Sequence, residues 1–171
     1  MQFETSRGNF VVEVHRDWAP IGADRFYELV RERFFDRARF FRVRAGQFVQ
    51  FGIPGDPKLA AKWRHATLAD DSPRVSCERG TVMYAFTTAN TRTTQIVINL
   101  RDNKQYDAEG FAPFGRVVSG MDVVDALYSG YGEESGGGMR AGHQDPLFEG
   151  GNAWLAQNFP KLDFILKARL L

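Results

Sequence analysis

A chain of 171 residues, 43% of them hydrophobic, suits a single domain with a substantial core and argues against a disordered protein. Its 22 basic and 21 acidic residues give a formal net charge of +1, which provides no overall attraction to nucleic acid or to an anionic membrane. Its single cysteine, Cys77, excludes an intrachain disulfide and a cysteine-based metal site, and no apolar run approaches the roughly 20 residues that a membrane span needs.

Short apolar and β-branched stretches alternate with turn residues along most of the chain. In chain order, the predicted elements are strands 1–5 and 10–15, a helix 20–32, strands 40–44 and 48–51, a single helical turn around 60–63, strands 80–86, 95–100 and 114–118, helices 121–127 and 152–158, and a last strand 162–171 that pairs with the first. Residues 128–142 hold six glycines and are predicted to form a long, flexible surface loop, in which Glu133 and Glu134 are solvated charges.

This pattern predicts a mainly β fold. Many short strands with few helices favour a closed β-barrel with helices at its ends. The chain contains no repeat and no internal linker, so residues 1–171 are predicted to form one domain.

Two strands that meet at residues 45–46 carry the most informative pattern. Because side chains alternate along a strand, Phe40, Arg42 and Arg44 are predicted to share one face. On the second strand Phe48 and Gln50 share a face in the same way. A guanidinium carries five donors in a planar fork and keeps its charge at neutral pH, so this pattern sets a permanent cation and an amide among aromatic residues.

The stretch 40–52 resembles the signature of the cyclophilin family. Further blocks are similar to that family in the family's own order, and together they run from Trp18 to Asp125. They are Trp18–Phe26, Asn90–Gln95, Gly110–Gly115 and Gly120–Asp125. The residues in these blocks are most similar to a divergent, bacterial-type branch of the family.

The resemblance implies an eight-stranded antiparallel cyclophilin barrel with a helix at each end and an active groove on its outer face. It implies a peptidyl-prolyl cis-trans isomerase that accelerates the isomerisation of X-Pro bonds in peptides or unfolded proteins and so assists folding. Arg42 corresponds to the family's catalytic arginine. Gln50 corresponds to the glutamine that helps to hold this arginine and the peptide, and Gln95 to the glutamine that binds the substrate backbone.

The proline pocket departs from the family's pattern. The positions that the resemblance assigns to the pocket and its surroundings are Gln47, Phe48, Phe86, Val97, Tyr106 and Phe111. Phe48, Val97, Tyr106 and Phe111 are apolar enough to receive a proline ring, although each is also credible as core. Gln47 places an amide where an apolar wall is usual, and Phe86 is expected to crowd the neighbouring pocket. We therefore expect weaker or altered isomerase activity, and weak binding of cyclosporin because the usual tryptophan is not clearly present.

Other functions fit the sequence less well. Cys77 is surrounded by no nucleophile motif, and the three histidines have no ligand-like spacing, so neither a cysteine enzyme nor a metal site is predicted. The arginine-rich stretch Arg31–Arg44 interleaves with phenylalanines, which favours a strand with two different faces over a nucleic-acid site. The main alternative is a catalytically weak binding or scaffold module that holds a Pro-containing partner or joins a larger assembly.

The remaining expectations concern cofactors, oligomeric state and cellular location. No cofactor is predicted, and we expect a monomer unless the chain is part of a larger assembly. The sequence enters directly into the predicted strand at Gln2, with no visible signal peptide, so we expect a cytoplasmic protein. The alternative is an exported or organellar protein whose presequence is not present in this chain.

Overall fold

The computed structural model describes residues 1–137 and 143–171. Its strands are β1 Gln2–Thr5, β2 Gly8–Val14, β3 Arg42–Arg44, β4 Phe48–Phe51, β5 Thr81–Tyr84, β6 Ile96–Asn99, β7 Gly115–Ser119 and β8 Ile165–Arg169. Its helices are α1 Pro20–Arg31, α2 Pro57–Trp63, α3 Gln105–Ala108, α4 Met121–Asp125 and α5 Asp145–Asn158, with a 3₁₀ turn at Glu134–Gly136.

The eight strands form one curled antiparallel sheet in the order β3-β4-β6-β5-β7-β2-β1-β8. The predicted pairing of the last strand with the first is confirmed, because Phe3 of β1 lies opposite Ala168 of β8. The predicted closed barrel is not confirmed. Strands β3 and β8 are the two edges of the sheet, and between them the structure has a bridge from Arg39 to Phe164, just outside both strands, in place of a continuous ladder.

The inner face of the sheet supplies the main core. Four cross-strand neighbours, Val43, Val49, Ile98 and Val82, form one row across β3, β4, β6 and β5, and all four are buried. Stacked and tilted phenylalanines fill the space beneath this row. Their apolar area supplies most of the driving force for folding, at about 25 cal/mol per Å² removed from water.

Helix α1 covers this core and begins without a cap of its own. Ala19 stands at the N-cap and offers no side-chain acceptor, while Pro20 occupies the first turn. The carboxylate of Asp71 accepts hydrogen bonds from the backbone amides of Ile21 and Gly22, at 3.0 and 2.8 Å. A residue far along the chain therefore satisfies the orphan donors of the helix and places its negative charge at the positive end of the helix dipole.

Asp71 also forms a buried ion pair with Arg92. Its Oδ2 lies 3.1 Å from Nη1 of Arg92, and the side chains of the two residues are 3% and 5% exposed. Arg92 donates in addition to the carbonyl of Ala69. The pair ties the start of α1 to the segment that leads into β6.

The structure differs from the predicted elements where local signals are mixed. Residues 101–110, predicted as a loop, contain the short helix α3, and α5 begins at Asp145 rather than at residue 152. Gly151 interrupts α5 with a φ of 56°, so the helical pattern is broken in the middle. The predicted loop 128–142 contains the 3₁₀ turn, with Ser135 and Gly136 buried, and its residues 138–142 lie outside the described residues.

Among the described residues, no helix is both long and apolar enough to cross a membrane.

We predict that Asp71→Ala lowers the free energy of unfolding by about 3 kcal/mol, because it removes the buried acceptor of Arg92 and leaves the more exposed Asp70, 3.4 Å from Nε of Arg92, as the nearest carboxylate. Urea-induced unfolding measures the change. Asp24→Ala is the matched control, because it removes an exposed carboxylate from helix α1, whose start Asp71 caps, and the ion pair of Asp24 with Arg16 is a surface pair. Equal losses of stability in the two variants would contradict the assignment of a supporting role to the buried pair.

Candidate active site

The outer face of the sheet carries a row of side chains that runs across four strands. Arg42 of β3 lies opposite Gln50 of β4, Gln50 opposite Val97 of β6, and Val97 opposite Met83 of β5. Because the side-chain period of a strand is two, the register that buries the inner row brings these four residues together on the other face. The predicted shared faces of Arg42 with Arg44 and of Phe48 with Gln50 are confirmed, because all four line one groove. The placement of Phe40 on the face of Arg42 is wrong, because Phe40 precedes β3 and packs in the main core.

This row forms part of a groove of about 450 Å³. The groove combines charged, amide and apolar side chains. Its lining consists of Arg42, Arg44, Phe48, Gln50, Met83, Ala85, Phe86, Thr87, Thr91, Thr93, Gln95, Val97, Tyr106, Glu109, Phe111 and Gln144.

A chain of hydrogen bonds connects the polar residues of the groove. Nη1 of Arg42 donates to Oε1 of Gln50 over 2.9 Å, and Nε2 of Gln50 donates to Oε1 of Gln95 over 2.8 Å. Gln50 is 2% exposed, so its amide is held on both sides in a nearly dry setting. Such a buried and satisfied network fixes the orientation of each member.

Gln95 is paired a second time, with Gln144 at the start of α5. Nε2 of Gln95 donates to Oε1 of Gln144 at 2.8 Å, and Nε2 of Gln144 donates back to Oε1 of Gln95 at 3.0 Å. The Gln95 oxygen thus accepts from both Gln50 and Gln144, while its amide nitrogen donates one of its two N–H groups to Gln144. These contacts leave the second N–H group for another acceptor.

The guanidinium of Arg42 is held from several directions. Its Nε and Nη2 donate to the two carboxylate oxygens of Glu133 over 2.7 and 3.1 Å. Its carbon Cζ lies 4.8 Å from the centre of the Phe48 ring, which adds a cation–π contact. The side chain of Arg42 is 12% exposed, so the cation is largely shielded from water.

Beside the cation lies an apolar socket. Phe48, Met83, Val97 and Cys77 form a buried cluster separate from the main core. Ala85, Tyr106 and Phe111 pack against this cluster. The Phe111 ring lies 5.2 Å from that of Tyr106 and 4.4 Å from that of Phe86, so three aromatic rings form one side of the socket.

The loop before β6 is held firmly above the groove. Oγ1 of Thr91 accepts from the backbone amides of Thr87 and Thr88 and donates to the Thr88 carbonyl. At the other end, Thr94 donates to the carbonyl of Gly52 at 2.8 Å. Gly52 has a φ of 105°, and a Cβ there would overlap the backbone of Thr94, so the close approach that places Gln95 requires glycine.

The structure brings most of the predicted site residues together. Those that line the groove are Arg42, Gln50, Gln95, Phe48, Phe86, Val97, Tyr106 and Phe111. Gln47 does not line it, which corrects its expected place in the pocket wall. Gln47 belongs to the β3–β4 turn, where its backbone N–H donates to the Arg44 carbonyl. Its backbone carbonyl accepts from the backbone N–H of Leu100 and from the side chain of Asn103.

Sequence reasoning missed several residues of this region, among them Met83, Ala85, Glu133 and Gln144. Met83 and Ala85 could have been found, because alternation along the predicted strand 80–86 puts them on one face. Glu133 and Gln144 had no such signal, since each meets its partner across a long stretch of chain. The prediction that Glu133 is a solvated loop charge is wrong, whereas Glu134 is exposed as predicted.

The arrangement favours binding and polarising an amide over covalent chemistry. Cys77 is fully buried, and burial raises the pKa of its thiol to about 12, with a further contribution from Asp107. A thiol in this state is not a nucleophile at neutral pH. Among residues 1–137 and 143–171 there is no cluster of three His, Cys, Asp or Glu side chains able to hold a metal ion.

The sequence matches known proteins over most of its length. The family model described as "Cyclophilin type peptidyl-prolyl cis-trans isomerase/CLD" matches residues 1–143. The chain belongs to this cyclophilin family. A peptidyl-prolyl cis-trans isomerase of Acinetobacter baylyi is 31% identical over 133 residues, which cover 74% of this chain and 70% of the relative. Peptidyl-prolyl cis-trans isomerase B of Escherichia coli is 33% identical over 135 residues, covering 73% of this chain and 81% of the relative.

Solved cyclophilin structures share the fold. A cyclophilin from Hirschia baltica matches with a TM-score of 0.65 at 15% identity, over 97% of this chain and 71% of that one. A Cryptosporidium parvum cyclophilin, crystallised in the presence of the dipeptide Ala-Pro, matches with a TM-score of 0.61 at 18% identity, over 73% of this chain and 84% of that one. The family model ends before α5 and β8, so Gln144 lies just beyond the part of the chain that it matches.

We predict that Cys77 of this cyclophilin does not react with the thiol reagent DTNB in the native state at pH 8. With a pKa of about 12, about one thiol in ten thousand is ionised at that pH, and the side chain is also inaccessible. Unfolding in urea should release full reactivity within minutes, and a Cys77→Ser variant gives the background. Rapid stoichiometric labelling of the native protein would contradict this placement of the thiol.

Proposed function

We propose that this cyclophilin isomerises X-Pro bonds in the groove on the outer face of its sheet, with Arg42 as the catalytic residue. The observation that carries the proposal is the guanidinium held beside an apolar socket, at the end of the hydrogen-bonded chain Arg42–Gln50–Gln95. Pro-containing peptides or unfolded protein segments are the proposed substrates.

The chemistry needs no covalent intermediate. Planar amides resist rotation with a barrier of about 18–20 kcal/mol, because rotation breaks the resonance between nitrogen and carbonyl. As the X-Pro bond twists, the prolyl nitrogen gains a lone pair that can accept a hydrogen bond. A fixed N–H of Arg42 stabilises this state more than either planar form, and roughly each 1.36 kcal/mol so gained multiplies the rate by ten.

The neighbouring groups supply binding and orientation. The proline ring fits the socket of Phe48, Val97 and Phe111, where apolar contact holds it while the bond turns. Gln50 keeps the guanidinium in place. Gln95 donates its second amide N–H to the substrate backbone while it stays paired with Gln144, and Phe86 and Tyr106 narrow the groove next to the socket. Gln47, which lies in the turn, has no part in this proposal.

We further propose that residues 1–171 form one monomeric domain and that its curled sheet closes into the family's barrel, with a helix at each end. The backbone hydrogen bonds from Phe40 to Asp163 and from Arg37 to Ile165, of 3.0 and 2.8 Å, support closure next to the two edge strands. We propose a cytoplasmic location, because a single buried thiol suits a reducing compartment, with an exported or organellar location as the alternative. We expect neither a nucleic-acid partner nor a cofactor.

We predict that Arg42→Ala lowers kcat/KM for X-Pro peptides by about ten- to hundredfold, because a charge-assisted hydrogen bond is worth about 1.5–3 kcal/mol. A protease-free assay of cis/trans exchange over a panel of peptides measures it. Arg42→Lys should lose most of this activity as well, because an ammonium keeps the charge but lacks the planar fork.

Arg31→Ala is the matched control, since this arginine is exposed on α1 and lies outside the groove. No acceleration by the folded parent protein on any peptide would overturn the enzymatic proposal. Binding of Pro-containing peptides that persists without turnover, and without Arg42, would instead favour a binding or scaffold module.

A further inference from the structure

Glu133 forms an ion pair with Arg42, although the two residues lie 91 positions apart in the sequence. Its two carboxylate oxygens accept from Nε and Nη2 of Arg42 in a bidentate pair, and Oε1 also lies 3.2 Å from Nε of Arg44. Two arginines on one face of a three-residue strand repel each other, so a carboxylate between them offsets this repulsion. Bidentate pairing also fixes the plane of the guanidinium, which a single hydrogen bond does not.

The turn that carries Glu133 is built against β3. Oγ of Ser135 donates to the carbonyl of Phe41, the residue before Arg42, over 2.6 Å, and Ser135 is 1% exposed. Gly136 packs directly on the aliphatic stem of Arg42, because a Cβ at Gly136 would lie only 2.9–3.1 Å from its Cβ, Cγ and Cδ. The turn therefore supports both the stem and the head of the Arg42 side chain.

This support leaves the groove open. Glu133 does not line the groove, so its carboxylate approaches Arg42 from outside the space that a substrate would occupy. A guanidinium has five N–H donors. Glu133 takes two of these donors and Gln50 takes one, which leaves two for a substrate. Glu133 therefore neither occupies the groove nor uses the two donors that remain for a substrate.

From these contacts we propose that Glu133 is a positioning residue for the isomerase reaction. It acts through Arg42 by fixing the plane and direction of the guanidinium before the substrate arrives. An unrestrained arginine has several flexible bonds whose ordering costs free energy at each turnover, and Glu133 removes this cost in advance. The proposal rests on the proposed function of Arg42 and deepens it.

The first test measures turnover. Glu133→Ala should lower kcat by about ten- to hundredfold, because small displacements of a catalytic group cost rates of this size. KM should change little, since Glu133 does not line the groove. Glu133→Gln keeps the shape and one acceptor oxygen and should recover part of kcat. Glu134→Ala is the matched control, because it removes the same charge from the same turn while Glu134 is exposed.

The second test observes Arg42 without any substrate. In nitrogen-15 NMR spectra of the parent protein, the Nε–H signal of Arg42 should be shifted by its 2.7 Å hydrogen bond and should exchange slowly with water. Glu133→Ala should move this signal toward that of a free arginine, and Glu134→Ala should leave it unchanged. Urea-induced unfolding of each variant checks that the fold survives, and Glu133→Gln serves if the alanine variant unfolds.

A double-mutant cycle separates positioning from a general structural effect. If Glu133 acts through Arg42, the change Glu133→Ala should have no further effect on turnover in an Arg42→Ala background. An equal further loss in that background, or a raised kcat in Glu133→Ala alone, would overturn the proposal. A parent protein without isomerase activity would overturn the proposed function instead, and the NMR signal would still decide whether Glu133 fixes the guanidinium.

Discussion

The proposed function depends on one permanent cation, the guanidinium of Arg42, that is held in a fixed orientation beside an apolar socket. Arg42 is 12% exposed, and hydrogen bonds to Gln50 and Glu133 and a ring contact with Phe48 restrain it. Such a charge is expensive to bury unless every donor it presents inward has an acceptor. Gln50, itself 2% exposed, accepts from the guanidinium and donates to Gln95, so the orientations of the three side chains depend on one another.

The sheet register makes this arrangement possible. The same pairing that buries Val43 and Val49 in the core brings Arg42 and Gln50 side by side on the outer face, so a slip of one residue would exchange core and groove. Burial of the inner row therefore also fixes which side chains line the groove. Supports away from the sheet, such as Asp71 at the start of α1, add rigidity without touching the substrate.

Local patterns and the resemblance to cyclophilins predict the part of the site that lies on strands. Alternation indicates that Phe48 shares a face with Gln50, and both line the groove; the strand register, which alternation does not give, sets Arg42 opposite Gln50. The resemblance fails at Gln47, because the chain turns there and the side chain does not line the groove. Glu133 and Gln144 escape prediction for a different reason. They reach the groove through tertiary folding of a glycine-rich segment and of a helix whose pattern Gly151 interrupts, and no periodicity records either contact.

A crystal structure of the protein with a bound Ala-Pro peptide would test the central claim most directly. The account predicts that the proline ring lies in the socket of Phe48, Val97 and Phe111, with a guanidinium nitrogen of Arg42 within hydrogen-bond distance of the X-Pro bond. It also predicts that the side-chain amide nitrogen of Gln95 donates to a backbone carbonyl of the peptide. A peptide bound elsewhere, or in the groove but out of reach of Arg42, would contradict the account.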